Sequence, residues 1–157
     1  MNYGYEPLND QLDRLKLDVA DEPDRYCIQL YHHVASAVNL TNLNILEIGC
    51  GRGGGASYIK RHLKPGAMTA IDFSEKAIRF CKYTHELDRL SFIKGDAESL
   101  PFDALPFDVV INIESSLCYG SMETFLAQAK RVLRHDGYFF TRIFATKMML
   151  KYCTVKW

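Results

Sequence analysis

The spacing of hydrophobic positions changes several times along the chain, and each change marks an element. Behind Asp21-Glu22-Pro23, residues Cys27, Leu30, Tyr31, Val34 and Val38 recur at three- and four-residue intervals, which predicts an amphipathic helix with its proline and acids in the first turn. Asn44-Ile45-Leu46-Glu47-Ile48 is a short, mostly apolar run stopped by glycine, the pattern of a buried parallel strand. Helical spacing returns over 56–63 and ends at Pro65-Gly66, after which 68–72 reads as a second strand with Asp72 at its carboxyl end. Ser74 caps the next helix, with Ala77, Ile78 and Cys81 inward. Strands are predicted at 90–93 and 107–113, separated by a proline-containing stretch, 95–106, long enough for a parallel crossover of about a dozen residues. Ser121 caps a helix with Phe125, Leu126, Ala129, Val132 and Leu133 inward, and His135-Asp136-Gly137 turns into a fifth strand over 138–144.

Strand and helix in alternation with short links predict an α/β fold, a doubly wound parallel sheet whose post-strand loops share one edge, where ligands bind. The 157 residues suit one domain: 1–43 as an N-terminal cap and helix, 44–144 as the α/β core, 145–157 as a short tail. Equal numbers of basic and acidic side chains, 19 of each, remove the positive field that phosphate backbones require, so nucleic acid is not the expected ligand. No run approaches the ~18 apolar residues of a membrane span, and the first residues lack a secretory pattern, so the expected location is cytoplasmic. Five scattered cysteines, never paired as C-x-x-C, read as reduced thiols that mostly pack.

Gly49-Cys50-Gly51-Arg52-Gly53-Gly54 has G-x-G-x-x-G spacing, weak alone but stronger between a predicted strand and helix. Asp72 ends the next strand about 20 residues on, where an acid can hold the two hydroxyls of a ribose. Glu47, two residues before the first glycine, selects among nucleosides. A dinucleotide would lay its pyrophosphate over this loop and meet a repelling carboxylate, whereas S-adenosylmethionine brings an ammonium and a sulfonium and no phosphate. The alternative is a Glu47 paired internally, with Arg52 or backbone amides.

These residues resemble the first motif of class I S-adenosylmethionine-dependent methyltransferases, a Rossmann-like fold. Ile71-Asp72-Phe73-Ser74 is similar to that family's ribose-binding acid and helix start, and Gly95-Asp96-Ala97-Glu98 followed by Leu100-Pro101-Phe102 to its adenine station. Arg131-Val132-Leu133-Arg134 with Asp136-Gly137 resembles the turn before its fifth strand. The stretch 51–59, with Tyr31-His32-His33-Val34 upstream and Glu114-Ser115-Ser116 downstream, looks more particularly like the branch that methylates phthiotriol and phenolphthiotriol lipids in mycobacteria. The resemblance implies that Glu47, Gly49, Cys50, Gly51 and Gly53 line the methionine end. It also implies that Asp72 takes the ribose hydroxyls, Phe73 lies against the adenine, and Asp96 and Ala97 hold the adenine edge. Asn112 and Ile113 would contact the methionine part, and Asn2, Tyr3, Gly4 and Tyr5 would close over the cofactor.

A sulfonium is already activated, so the protein mainly has to align donor and acceptor and exclude water. For a small or lipid-like hydroxyl acceptor a general base helps; Glu114, His33 and His32 are the candidates, with Glu114 favoured and Tyr119 as an orienting group. His32 and His33 are about 100° apart on a helix, so at most one faces the pocket. His62, His85 and His135 lie on different predicted elements without companion acids or cysteines at ligand spacing, so no metal is expected. Cys50 and Cys118 are expected to pack.

The family continues past its fifth strand into a helix and an antiparallel hairpin; here the expectation is a core truncated after the fifth strand, with a basic and apolar tail unlike that hairpin. The fifth strand would then be a bare edge, protected by self-association into a homo-oligomer or by cover from the tail. Three readings result: a methyltransferase, a catalytically silent cofactor-binding remnant acting as an interaction module, and a nicotinamide-dependent oxidoreductase.

Overall fold

Side chains alternate across a strand, and along Asn44–Ile48 (β1) this sends Ile45 and Glu47 to one face of the sheet and Leu46 and Ile48 to the other. A computed structural model describes residues 2–6, 15–104, 106–143 and 151–156, with Ile143 and 151–156 described by backbone alone. A 3-10 turn, Glu22–Asp24, leads into Arg25–Ala35 (α1), which precedes β1. Gly54–His62 (α2), Ala67–Asp72 (β2), Glu75–Thr84 (α3) and Leu90–Lys94 (β3) follow. Phe107–Ile113 (β4), a 3-10 turn Ser116–Cys118, Met122–Val132 (α4), Leu133–Ile143 (β5) and Lys151–Lys156 (β6) complete the order.

The strand order is β3-β2-β1-β4-β5-β6. β1 to β5 run parallel, and β6 pairs antiparallel with β5. The chain crosses one way from β1 through β2 to β3 and the other way from β4 to β5, so β1 and β4 flank the switch point where loops diverge and leave a crevice. On one face Ile45, Met68, Val109 and Ile111 meet Leu30, Ile59 and Ile78 of α1 to α3; on the other Leu46, Ile48 and Val110 meet Phe125, Ala129 and Val132 of α4. Both faces are covered, which is why these strands read as apolar runs.

β1 and β4 fall where the sequence places them. Ser74 and Ser121 cap α3 and α4 as expected, their hydroxyls accepting from Ala77 N–H at 3.2 Å and Thr124 N–H at 3.1 Å. The expected turn at 135–137 is instead taken up inside β5: Asp136 adopts a left-handed φ of 65°, and the pairing jumps from Phe107 with Leu133 to Val109 with Tyr138. That is a bulge, with the four residues 134–137 of β5 lying between pairs that on β4 are separated by Asp108 alone. In the crossover between β3 and β4 the described residues form an isolated bridge, Asp96 with Ser99. Arg131 of α4 holds this segment by donating to the carbonyls of Leu100 at 2.9 Å and Phe102 at 2.6 Å.

Of the two protections expected for the fifth strand, the structure shows cover by the tail. Residues 151–156 form a strand in register along β5, from Ile143 with Lys151 to Tyr138 with Lys156. Chain tail therefore satisfies the main-chain groups of the expected bare edge, and the premise for self-association through β5 is gone. A two-strand hairpin is absent among the described residues; a single antiparallel strand takes that side of the sheet. Phe144 lies outside the described residues.

Candidate functional site

The loop between β1 and α2 is held by the neighbouring strand. The N–H groups of Gly49 and Cys50 both donate to the Ile71 carbonyl at 2.9 Å, and Gly51 N–H donates to Asp72 Oδ2 at 2.8 Å. Two glycines have different reasons to be there. A Cβ at Gly49 would lie 2.2 Å from Ser115 Oγ, so this residue buys close packing of β1 against the turn after β4. At Gly51, φ is 53° and a Cβ would meet nothing within 4 Å, so the bare main chain borders open space. A ligand can approach the backbone there.

Glu47 is fully buried, and it is directed by β1 onto the α1 side, where Tyr31 meets it. The phenol donates to Glu47 Oε1 at 2.6 Å, and Oε2 has no hydrogen-bond partner among the described residues. Burial pushes the carboxyl up to about 7, opposed by the Tyr31 hydrogen bond and reinforced by the charge of Asp72. Burial also raises the Tyr31 phenol well above its ordinary range, which keeps it a donor. Arg52, one partner that the alternative reading offered Glu47, lies elsewhere: its guanidinium stacks 4.4 Å over the Phe80 ring. An acid buried with an unpartnered oxygen and no basic partner among the described residues suits a cationic ligand group and opposes a phosphate.

Asp72, at the carboxyl end of β2, accepts from Gly51 N–H through Oδ2 and from Ser74 N–H through Oδ1 at 2.9 Å, and a carboxylate retains further lone pairs for hydroxyls. The adjacent Phe73 is 74% exposed, an apolar ring in solvent beside the glycine loop. Asp96 is exposed and uses Oδ1 to accept from Glu98 N–H at 2.8 Å; Ala97 is buried in the α4-side core. Ile113 is likewise core. Asn112 is a buried hub whose amide lies 2.9 Å from the Ile48 carbonyl, 2.7 Å from Ser115 Oγ and 2.9 Å from Tyr119 Oη. It ties the ends of β1 and β4 to the following turn. Burial pushes Tyr119 up to about 12.

The proton-acceptor candidates gather around the opening residues. Tyr3 N–H donates to Glu114 Oε2 at 2.7 Å, while Glu114 Oε1 faces Arg142 Nε at 3.8 Å, both side chains being buried. Glu114 also holds a left-handed φ of 53°. Tyr5 stacks on His33 with centroids 4.4 Å apart, and its N–H donates to the Tyr26 carbonyl at 2.9 Å. Burial, aided by the charge of Arg142, lowers the His33 pKa. His32 points elsewhere, with Nδ1 2.9 Å from Tyr58 Oη. The histidines diverge as helix geometry requires.

Two details were missed in the sequence. His62 does have acidic companions, Asp21 at 3.6 Å and Asp18 at 4.0 Å, and the Arg61 guanidinium binds Asp21 through two 2.8 Å hydrogen bonds, so a protein cation already occupies the cluster. Cys50 is paired with Cys81 near the loop: both thiols point at the Gly51 carbonyl, at 4.0 and 3.3 Å. The hydrogen bond with Cys81, together with burial, pushes the Cys50 thiol up and leaves it a packing group. Asp21 lies 40 positions from Arg61 and still further from His62, and Cys50 and Cys81 are as remote, so neither arrangement carries a local signal.

A family model described as a methyltransferase domain matches residues 45–137. Over 139 residues the chain is 48% identical to the phthiotriol/phenolphthiotriol dimycocerosates methyltransferase of Mycobacterium tuberculosis (strain ATCC 25177 / H37Ra), covering 88% of this chain and 51% of that protein. It is 44% identical over 139 residues to the fatty-acid O-methyltransferase of Mycolicibacterium smegmatis, covering 88% and 50%. The fold matches a crystal structure of an S-adenosylmethionine dependent methyltransferase from Mesorhizobium loti with a TM-score of 0.64 at 16% identity, over 69% of this chain and 50% of that one. The chain spans about half the length of the curated relatives it matches. On the match across 45–137, this chain belongs to the methyltransferase domain family.

Proposed function

We propose that the chain binds S-adenosylmethionine at the carboxyl edge of β1 and β2 and directs its methyl group to a hydroxyl of a small or lipid-like acceptor. The observation that carries this reading is Glu47, a buried acid with one oxygen unpartnered among the described residues, directly behind a glycine loop that borders open space. A nicotinamide dinucleotide would set its pyrophosphate against that acid. S-adenosylmethionine supplies, when bound, an electrophilic methyl on a sulfonium.

In this reading Glu47 receives the ammonium of the methionine end and the main chain of Gly49, Cys50, Gly51 and Gly53 shapes its cradle. Asp72 accepts from the ribose hydroxyls, and Phe73 covers one face of the adenine. Asp96, through Oδ2, and the Ala97 N–H take the adenine edge. Asn112 and Ile113 act from behind, by fixing the strand ends. His33, with its lowered pKa, is the proton acceptor better prepared for a hydroxyl; Glu114 would first have to release the Tyr3 amide. The lipid-like acceptor is supported by the names of the relatives and by exposed Tyr3 and Leu117, 76% and 65% accessible, on segments beside the end of β4. No helix among the described residues is long and apolar enough to cross a membrane.

Calorimetry with S-adenosylhomocysteine and with NAD, beside transfer of a labelled methyl to long-chain hydroxyl and fatty-acid acceptors, tests the proposal. Saturable binding of S-adenosylhomocysteine, none of NAD, and label in the acceptor are expected. Binding without transfer to any acceptor would leave a cofactor-binding module, and NAD binding would replace the reading with the oxidoreductase.

A further inference from the structure

We propose that Tyr31 is a positioning residue for the cofactor's ammonium: its phenol ties down one oxygen of Glu47 and leaves the other bare, so that only the ionised carboxylate grips the methionine end. The proposal rests on the S-adenosylmethionine reading above. Tyr31 lies outside the glycine loop and comes from α1, ahead of the sheet. Its ring is wedged against the start of α2, where a Cβ on Gly55 would come within 2.0 Å of Tyr31 Cε1. A ring so confined fixes its hydroxyl, and the hydroxyl fixes the carboxylate, 2.6 Å away. Rotation of Glu47 would cost that bond, so Oε2 stays the oxygen without a hydrogen-bond partner among the described residues, the one a cation entering from the loop would meet.

The surroundings make this grip depend on protons. Tyr31 faces Glu47 from α1 and Asp72 from β2; Cys50 of the loop and Cys81 of α3 also lie within electrostatic reach, and Glu114 acts on Tyr31 from the end of β4. None of these is a cation. The carboxyl is therefore half protonated near pH 7, and an ammonium arriving below that pH must expel the proton. The phenol favours the ionised form, so its removal moves this midpoint to higher pH.

The test is calorimetry on the wild type and Tyr31→Phe at pH 6, 7 and 8, in buffers of different protonation enthalpy, with S-adenosylhomocysteine and with methylthioadenosine, which lacks the amino-acid group. With a midpoint of about 7, the ionised fraction rises from about one-tenth at pH 6 to about nine-tenths at pH 8, so wild-type affinity for S-adenosylhomocysteine should rise about tenfold, with proton release at pH 6. Tyr31→Phe keeps the ring against Gly55 and should weaken S-adenosylhomocysteine roughly tenfold at pH 7, the deficit narrowing as pH rises. Methylthioadenosine should bind both proteins equally at every pH, which also reports an intact fold. A deficit constant across pH and shared by methylthioadenosine would make Tyr31 merely structural, and equal S-adenosylhomocysteine affinity in both proteins would likewise overturn the proposal. Failure of both nucleosides to bind the wild type would overturn the S-adenosylmethionine reading itself and this proposal with it.

Discussion

Replacing Glu47 by Gln removes one titration from the interior and keeps nearly the same shape. The side-chain oxygen that accepts from Tyr31 survives, and the new amide brings an NH2 whose two donors need partners, a cost of about 1–3 kcal/mol that does not vary with pH. The wild-type carboxyl has its pKa raised from 4.5 to about 7, so the folded state holds the proton more tightly than the unfolded chain. Stability contributed by this group is therefore lost as pH rises from about 4.5 to about 7 and stays lost above. At about 1.4 kcal/mol per pH unit, the 2.5 units between those values amount to roughly 3 kcal/mol. Urea unfolding of both proteins between pH 4 and pH 8, extrapolated to water, measures the difference directly. The stability of Glu47→Gln relative to wild type should improve by roughly 3 kcal/mol from pH 4 to pH 8, whatever its offset at pH 4. A difference that stays constant over that range would show that the carboxyl titrates normally, and the argument for a cation-seeking acid would fail with it.

Other expectations concern the loop and its supports. Gly51→Ala should lower stability by only about 1–2 kcal/mol, the cost of a left-handed backbone, while sharply weakening S-adenosylhomocysteine; Gly49→Ala should unfold the protein in thermal melts, since its Cβ would lie 2.2 Å from Ser115 Oγ. Asp72→Ala should weaken S-adenosylhomocysteine by about 1–3 kcal/mol in calorimetry through lost charge-assisted hydrogen bonds, and unchanged affinity would place the ribose elsewhere. Arg142→Met strands the buried Glu114 carboxylate and should cost about 3–5 kcal/mol in urea unfolding; adding Glu114→Gln should recover part of that loss.

Much of the scaffold is local and was legible. Apolar runs bounded by glycine and proline locate β1 and β4, serine ahead of an acid and an inward-facing stripe locates the starts of α3 and α4, and the glycine run after β1 comes against Asp72 at the end of β2. The bulge at Asp136 was not legible, because a turn and a bulge use the same residues, and only pairing with β4 distinguishes them. The strand at 151–156 was also hidden. Its sequence lacks the family's pattern, and edge pairing depends mainly on main-chain groups that every residue carries.

Period and spacing alone determined the α/β alternation, the exposed edge of loops and the presence of an acid beside bare main chain, since these depend on residues a few positions apart. Tertiary structure decided what that acid touches. Tyr31 is 16 positions from Glu47, and Tyr3 is 111 from Glu114; such pairs form only when α1 packs back onto the sheet and the first residues come to the end of β4. The chemistry of a buried carboxylate depends on the groups that replace water around it, and folding brings those groups from remote parts of the chain.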